Sequence, residues 1–216
     1  MMGGMPENPS ARSVKIGSDE RTGWSSERPR RDGAAPRPVD ISARCRVLAP
    51  SHRLRYSPGS LVIVVGPARS EPAQFVQRVV EERAAVLAPA RVRAMLTGRV
   101  AESEIEDRAT ELLTAAVVKR LQAGETVVLP LDGFDAAERE RFLRLAHGLR
   151  RPRHLVLLDA PRNQVRDDER PALDDLRRAL DAGELGVEGF QTALRLGGAA
   201  LTELKRIVFQ PASRDD

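Results

Sequence analysis

Ser60-Leu61-Val62-Ile63-Val64-Val65-Gly66-Pro67-Ala68-Arg69-Ser70-Glu71-Pro72-Ala73-Gln74-Phe75 is the stretch that decides the fold. The apolar, mostly β-branched run from Leu61 to Val65 predicts a strand buried on both faces, as in a parallel sheet. Gly66-Pro67 closes it as a turn. A helix is predicted over Pro72–Ala85, with Phe75, Val76, Val79 and Val80 as its apolar stripe. Pro72 suits the first helical turn.

Outward from this unit the pattern repeats. Val86-Leu87 reads as a short strand and Ala90–Leu96 as one or two helical turns. Glu102–Ala123 is the clearest helix: Ile105, Ala109, Leu112, Leu113, Ala116, Val117 and Leu121 recur at helical spacing, and Gly124 stops it. Thr126–Leu131 predicts a strand and Asp135–Leu149 a helix capped by Asp135. His154–Leu158 predicts a strand, Asp174–Ala182 a helix, and Gln191–Leu196 and Arg206–Phe209 two more strands. Such alternation implies an α/β fold, a parallel sheet covered by helices on both faces. Ligands of such sheets bind beyond the carboxyl ends of the strands. The turns after Val65, Leu87, Leu131 and Leu158 are therefore where chemistry is sought.

Composition narrows the function classes. Hydrophobic residues are 41% of the 216, but aromatics only 3%, so the core is built from Leu, Val and Ala. One cysteine, Cys45, excludes an internal disulfide and a cysteine-rich metal site. No apolar run reaches membrane-span length and no signal segment opens the chain, so a cytoplasmic protein without a membrane partner is expected. Basic and acidic residues, 35 against 31, leave a net charge of +4. Nearly all the positive charge is Arg, which suits phosphate contacts but also follows from a GC-rich genome. Residues 1–44 are rich in Gly, Pro, Ser, Arg and Asp and read as a disordered tail. Trp24 and the Arg28–Arg31 cluster are its only recognition candidates. Residues 45–216 read as the folded domain.

The first turn has the length and place of a phosphate-binding P-loop, Gly-x-x-x-x-Gly-Lys-Ser/Thr between strand and helix. In a working loop backbone N–H groups wrap the β-phosphate, Lys reaches the β- and γ-phosphates, and the hydroxyl holds Mg²⁺. Gly66 is the first glycine here. Glu71 stands at the second, Pro72 at the lysine and Ala73 at the hydroxyl. Glu71 opposes a polyphosphate, Pro72 removes a cation and a donor, and Ala73 cannot ligate a metal. The other reading is an ordinary strand-to-helix turn that never bound phosphate. His52, His147 and His154 lack metal-ligand spacing, so no metal site is expected. Ser70 has no Ser hydrolase context.

In register, the chain resembles the P-loop kinase domains of bacterial polynucleotide kinases and their predicted AAA-type relatives. Its counterparts of that family's motifs are, in order, Ser60–Phe75, Val86–Arg93, Lys119–Gly133, Leu158–Pro171 and Glu188–Phe190. The resemblance implies a P-loop NTPase fold and places the family's substrate-turn Asp, a general base, at Ala90. It sets Pro130-Leu131-Asp132-Gly133 where the family has Asp-Ala-Thr-Asn; a small slip would let Asp132 supply a carboxylate. It keeps Arg93 at the substrate-turn arginine and Arg166 and Arg170 at the lid arginines. Those three read equally as retained phosphate contacts or as surface ion pairs, Arg166 with Asp167 or Glu169. Phe190 is expected in the core, with Gly189 allowing the bend.

Phosphoryl transfer needs positioning and charge neutralisation by Lys, Arg and Mg²⁺. With Lys, hydroxyl and base missing together, the resemblance implies a catalytically degenerate kinase-like protein. It would need no cofactor and would act as a binding or regulatory module for a protein or a phosphate-bearing ligand such as a nucleic-acid end. The alternative is an atypical kinase using ATP and Mg²⁺, with Arg69 supplying the loop charge and a hydroxyl of a nucleic-acid end or small molecule as acceptor. A third reading is salt-sensitive nucleic-acid binding by the Arg-rich surface.

Overall fold

Leu61–Gly66 (β3) is buried along its whole length and is an interior strand of a five-stranded sheet. A computed structural model describes residues 39–67 and 71–211, and all of them from Asp40 onward belong to one compact unit. Before β3 come Arg46–Leu48 (β1) and Arg53–Tyr56 (β2). After it follow Glu71–Val79 (α1), Pro89–Leu96 (α2), Ile105–Gln122 (α3) and Val127–Asp132 (β4). Ala136–Gly148 (α4), Arg153–Asp159 (β5), Arg170–Asp181 (α5) and Thr192–Gly197 (β6) come next. Ala199–Glu203 (α6) and Arg206–Phe209 (β7) close the described chain. The main sheet runs β1-β6-β5-β3-β4 with every pair parallel, and β2 and β7 form a parallel ribbon of their own.

Alternation along β3 divides the core. Leu61, Ile63 and Val65 face a layer with Leu113, Val117 and Leu121 of α3, Phe142 and Leu143 of α4 and Leu173 and Leu176 of α5. Val62 and Val64 face Phe75, Val76 and Val79 of α1 and Leu54, Tyr56 and Ile207 of the ribbon. The sheet is thus covered on both faces, as the unbroken apolar run requires. The ribbon, rather than a helix, completes the second face.

Several elements depart from the sequence expectation. The helix predicted to Ala85 stops at Val79, because Val80 pairs in parallel with Ile207 and joins the α1-side core. Val86-Leu87 makes only a single bridge to Val128, with Leu87 N–H donating to the Val128 carbonyl at 3.0 Å. Val128 and Pro130 turn their backbone groups to the same, outer edge of β4, where the donor missing from Pro130 breaks no pairing with β3. β1, β2 and α6 were not anticipated, being short and, in β1 and β2, interrupted by Arg46, Arg53 and Arg55. The sequence-defined tail lies outside the described residues up to position 38, but residues 40–44 pack onto the domain. Ile41 is buried, its carbonyl accepts from Arg153 Nη1 at 3.3 Å, and Ala43 N–H donates to the Gly186 carbonyl at 2.8 Å. One apolar residue in a polar stretch carries little signal; its burial is decided by residues over a hundred positions away. As expected, Asp135 caps α4 through Ala137 N–H, Phe190 is fully buried and Gly189 is left-handed at φ 104°.

His154 is structural. At the start of β5 its Nδ1 lies 2.8 Å from Thr192 Oγ1, its Nε2 3.3 Å from Ser60 Oγ, and its ring stacks on Tyr56 at 4.5 Å. Burial lowers its pKa from 6.5 to about 4. The folded state therefore holds it neutral while the unfolded chain protonates it near pH 6.5. Its contribution is complete above pH 6.5 and is lost as pH falls toward 4, on the order of 3 kcal/mol in all. Thermal melts across this window should show the decline flattened in His154→Gln relative to wild type; parallel curves would refute the assignment.

Candidate functional site

The chain leaves β3 for β4 on one side and later for β5 on the other, so the sheet's topological switch point lies beyond Gly66. That crevice is where ligands of open α/β sheets bind. At its floor, Gly133 N–H donates to the Gly66 carbonyl at 2.7 Å, tying the loop after β4 across the end of β3. A Cβ on Gly66 would meet Leu158 Cβ at 3.1 Å and Pro72 Cγ at 3.2 Å. Pro72, in the first turn of α1, is buried, so its ring and Leu158 fill the space against Gly66. Glu71 opens α1 with an exposed side chain, and Ala73 is half-buried. Arg69 and Ser70 lie outside the described residues.

Asp132 ends β4 in register with Gly66, its carboxylate exposed at the carboxyl edge. Arg93 and Asp132 share a neighbourhood around Glu138 of α4. Burial raises the Glu138 pKa, Asp135 and Asp132 raise it further, and Arg141 and Arg93 partly offset this. Arg93 lies 3.5 Å from Glu106 of α3. Arg166 and Arg170 are engaged within their own segment. Arg166 donates to Glu169 Oε1 at 3.0 Å and lies 3.5 Å from Asp168; the Glu169 bond raises its pKa. Arg170 donates through Nε to the Arg162 carbonyl and pairs with Asp167 at 2.6 Å. Glu169 is itself buried beside Gly133: a Cβ there would meet its Oε1 at 3.3 Å, and its Oε2 has no partner in the structure.

The ends of β5 and β6 carry an ion network. Asp159, closing β5, accepts from Arg177 Nε at 2.8 Å through Oδ1 and from Arg195 Nε at 2.6 Å through Oδ2. Arg177 also pairs with Asp174, which binds Arg162, and Arg195 lies 3.4 Å from Asp181. Three arginines thus alternate with three aspartates from β5, β6, α5 and the loop before α5. Both Asp159 oxygens accept from arginines, so this carboxylate is committed to the ion network.

The family of AAA domains matches residues 61–178, more than half of the chain. The chain belongs to the AAA domain family. Among solved structures it is similar to the tunicamycin resistance protein of Deinococcus radiodurans, at 18% identity over 67% of this chain and 91% of that one, with a TM-score of 0.38. It is also similar to a candidate kinase of Chloroflexus aurantiacus, at 12% identity over 65% of this chain and 86% of that one, with a TM-score of 0.40. The chain has no match among curated proteins.

Within the AAA domain, Glu71, Asp132 and Glu169 bring carboxylates to the carboxyl end of β3 and β4, and the lid arginines are held by acidic neighbours. No group of three or more His, Cys, Asp or Glu among the described residues is arranged to hold a metal ion, and no described helix is long and apolar enough to cross a membrane. Sequence reasoning missed Asp159, Arg177, Arg195 and Glu138, and it found Glu169 only as a surface partner of Arg166, not as a buried group. Asp159 was open to discovery as the charged residue ending a buried strand. Arg195, a lone charge inside an apolar strand, was a second signal. The burial of Glu169 beside Gly133 carried no signal in the sequence.

Proposed function

We propose that this AAA domain is a catalytically degenerate P-loop kinase-like protein that serves as a binding or regulatory module and transfers no phosphoryl group. The observation that carries this reading is the buried Pro72. At the position where a P-loop lysine would extend toward the phosphates, a donorless ring packs against Gly66 and Leu158. The flanking residues deepen the effect: Glu71 adds a negative charge at the mouth, and Ala73 has no oxygen for Mg²⁺. Arg166 and Arg170, the cations that could compensate from the lid, are neutralised by Glu169 and Asp167. Asp159 is committed to ion pairs with two arginines.

Calorimetric titration of the full chain with ATP, with and without Mg²⁺, tests the reading. No Mg²⁺-dependent binding up to millimolar nucleotide is expected. Micromolar, Mg²⁺-dependent binding that disappears in Arg69→Ala would instead establish an atypical kinase.

A further inference from the structure

Clefts at the sheet end and beside α1 differ in charge. The crevice of about 290 Å³ beside β5 is lined by Glu71 and Asp159. A second cleft, of about 420 Å³, opens between α1 and the segment leading into α2, lined by Gln77, Arg83, Val86, Ala88 and Arg91. Among the described residues its lining includes two arginines and no acidic residue. Arg83 donates to the Gln77 carbonyl through one nitrogen and keeps further N–H groups for a ligand. Arg91 is exposed on the first turn of α2, and its side chain makes no ion pair or hydrogen bond with the described residues. The nearest acids in sequence do not close the cleft: Glu81 lies 3.8 Å from Arg206, and Glu82 is not among the lining residues. The arginines elsewhere that face an acidic group, Arg93, Arg166, Arg170, Arg177 and Arg195 among them, are already paired.

We propose that this Arg83–Arg91 cleft is a binding site for a small phosphate-bearing ligand. Two guanidinium forks facing one concavity suit the planar, bidentate recognition of phosphate oxygens. Val86 and Ala88 offer an apolar wall to the body that bears the phosphate, and Gln77 adds an amide. The volume falls in the range of small-molecule pockets, which favours a compact ligand over an extended strand. The site lies on the flank of α1, away from Pro72 and Gly66, and needs neither the P-loop nor Mg²⁺. It therefore stands whether or not the proposed loss of phosphoryl transfer is right.

Calorimetry of the full chain with inorganic phosphate at low ionic strength, without Mg²⁺, supplies the test. Saturable binding is expected, and Arg83→Ala and Arg91→Ala should each weaken it about tenfold, the loss expected for a charge-assisted contact. Arg91→Lys should recover only part, because an ammonium lacks the fork. Arg99→Ala, an exposed cation outside the cleft, should change nothing, and unchanged melting temperatures would confirm that all variants fold. No saturable binding, or binding that persists in the Arg83→Ala/Arg91→Ala double variant, overturns the proposal. A ten-nucleotide single strand that binds far tighter than phosphate and loses that affinity in the double variant overturns the small-ligand class in favour of a nucleic-acid backbone. ATP bound without Mg²⁺ and lost in the double variant reports this cleft. ATP bound only with Mg²⁺ and retained in the double variant contradicts the degenerate P-loop alone.

Discussion

Gly186→Ala is expected to unfold the edge of the domain. The Cβ of an alanine there would lie 2.0 Å from the Ala43 carbonyl oxygen and 3.1 Å from the Cys45 backbone nitrogen. Both obstacles are backbone, so no side-chain rotation relieves them. Residues 43–45 must move away. The Ala43 N–H bond to the Gly186 carbonyl, the burial of Ile41 and the three-residue pairing of β1 with β6 are then lost together. Exposing Ile41 alone costs about 1.5–3 kcal/mol, so a total loss of about 3 kcal/mol or more is expected in urea melts. Amide exchange should accelerate first at residues 43–48. Gly148→Ala serves as the control: nothing lies within 4 Å of its Cβ, and it sits in α4, where alanine is the better helix former. A Gly186→Ala protein as stable as that control would show that the segment is not docked.

Glu188→Ala should cost about as much, for an electrostatic reason. Arg139 in α4 is almost wholly buried, its side chain 3% exposed, while that of Glu188 is 30% exposed. Arg139 Nε and Nη2 both donate to the Glu188 carboxylate, at 3.0 and 2.8 Å, and Nη1 donates to the Phe134 carbonyl at 2.7 Å. Deleting Glu188 leaves a desolvated guanidinium with one carbonyl partner, a loss of about 3 kcal/mol or more. Arg139→Met should cost less, because the carboxylate left behind can hydrate and methionine refills the volume. The ordering of the two variants in denaturant titrations is the decisive readout. If Arg139→Met is the more damaging, packing by the arginine stem outweighs the pairing.

Both predictions fall on Glu184–Phe190, which the sequence showed only as a glycine-bearing turn with a core phenylalanine. The turn joins three distant pieces, residues 41–45, α4 and β6. No local pattern announces that role.

What the sequence determined by itself is the layered α/β architecture and the place of the candidate site. Continuous apolar runs, as in Leu61–Val65, forced strands buried on both faces, and the three- and four-residue spacing in Glu102–Ala123 forced a helix. The residues of the first turn were equally legible, since Glu71, Pro72 and Ala73 stand at fixed offsets from Gly66. Only the tertiary structure decided which groups meet. Pro72 and Leu158 around Gly66, Glu169 beside Gly133, Asp159 between Arg177 and Arg195, and Arg83 and Arg91 on one cleft are juxtapositions set by strand order and helix docking. Side-chain chemistry is written in the chain, but partner choice depends on desolvation and packing between elements far apart in sequence. A carboxylate such as Glu169 reads in sequence as a surface partner of Arg166 and is buried only where the loop after β4 brings Gly133 beside it.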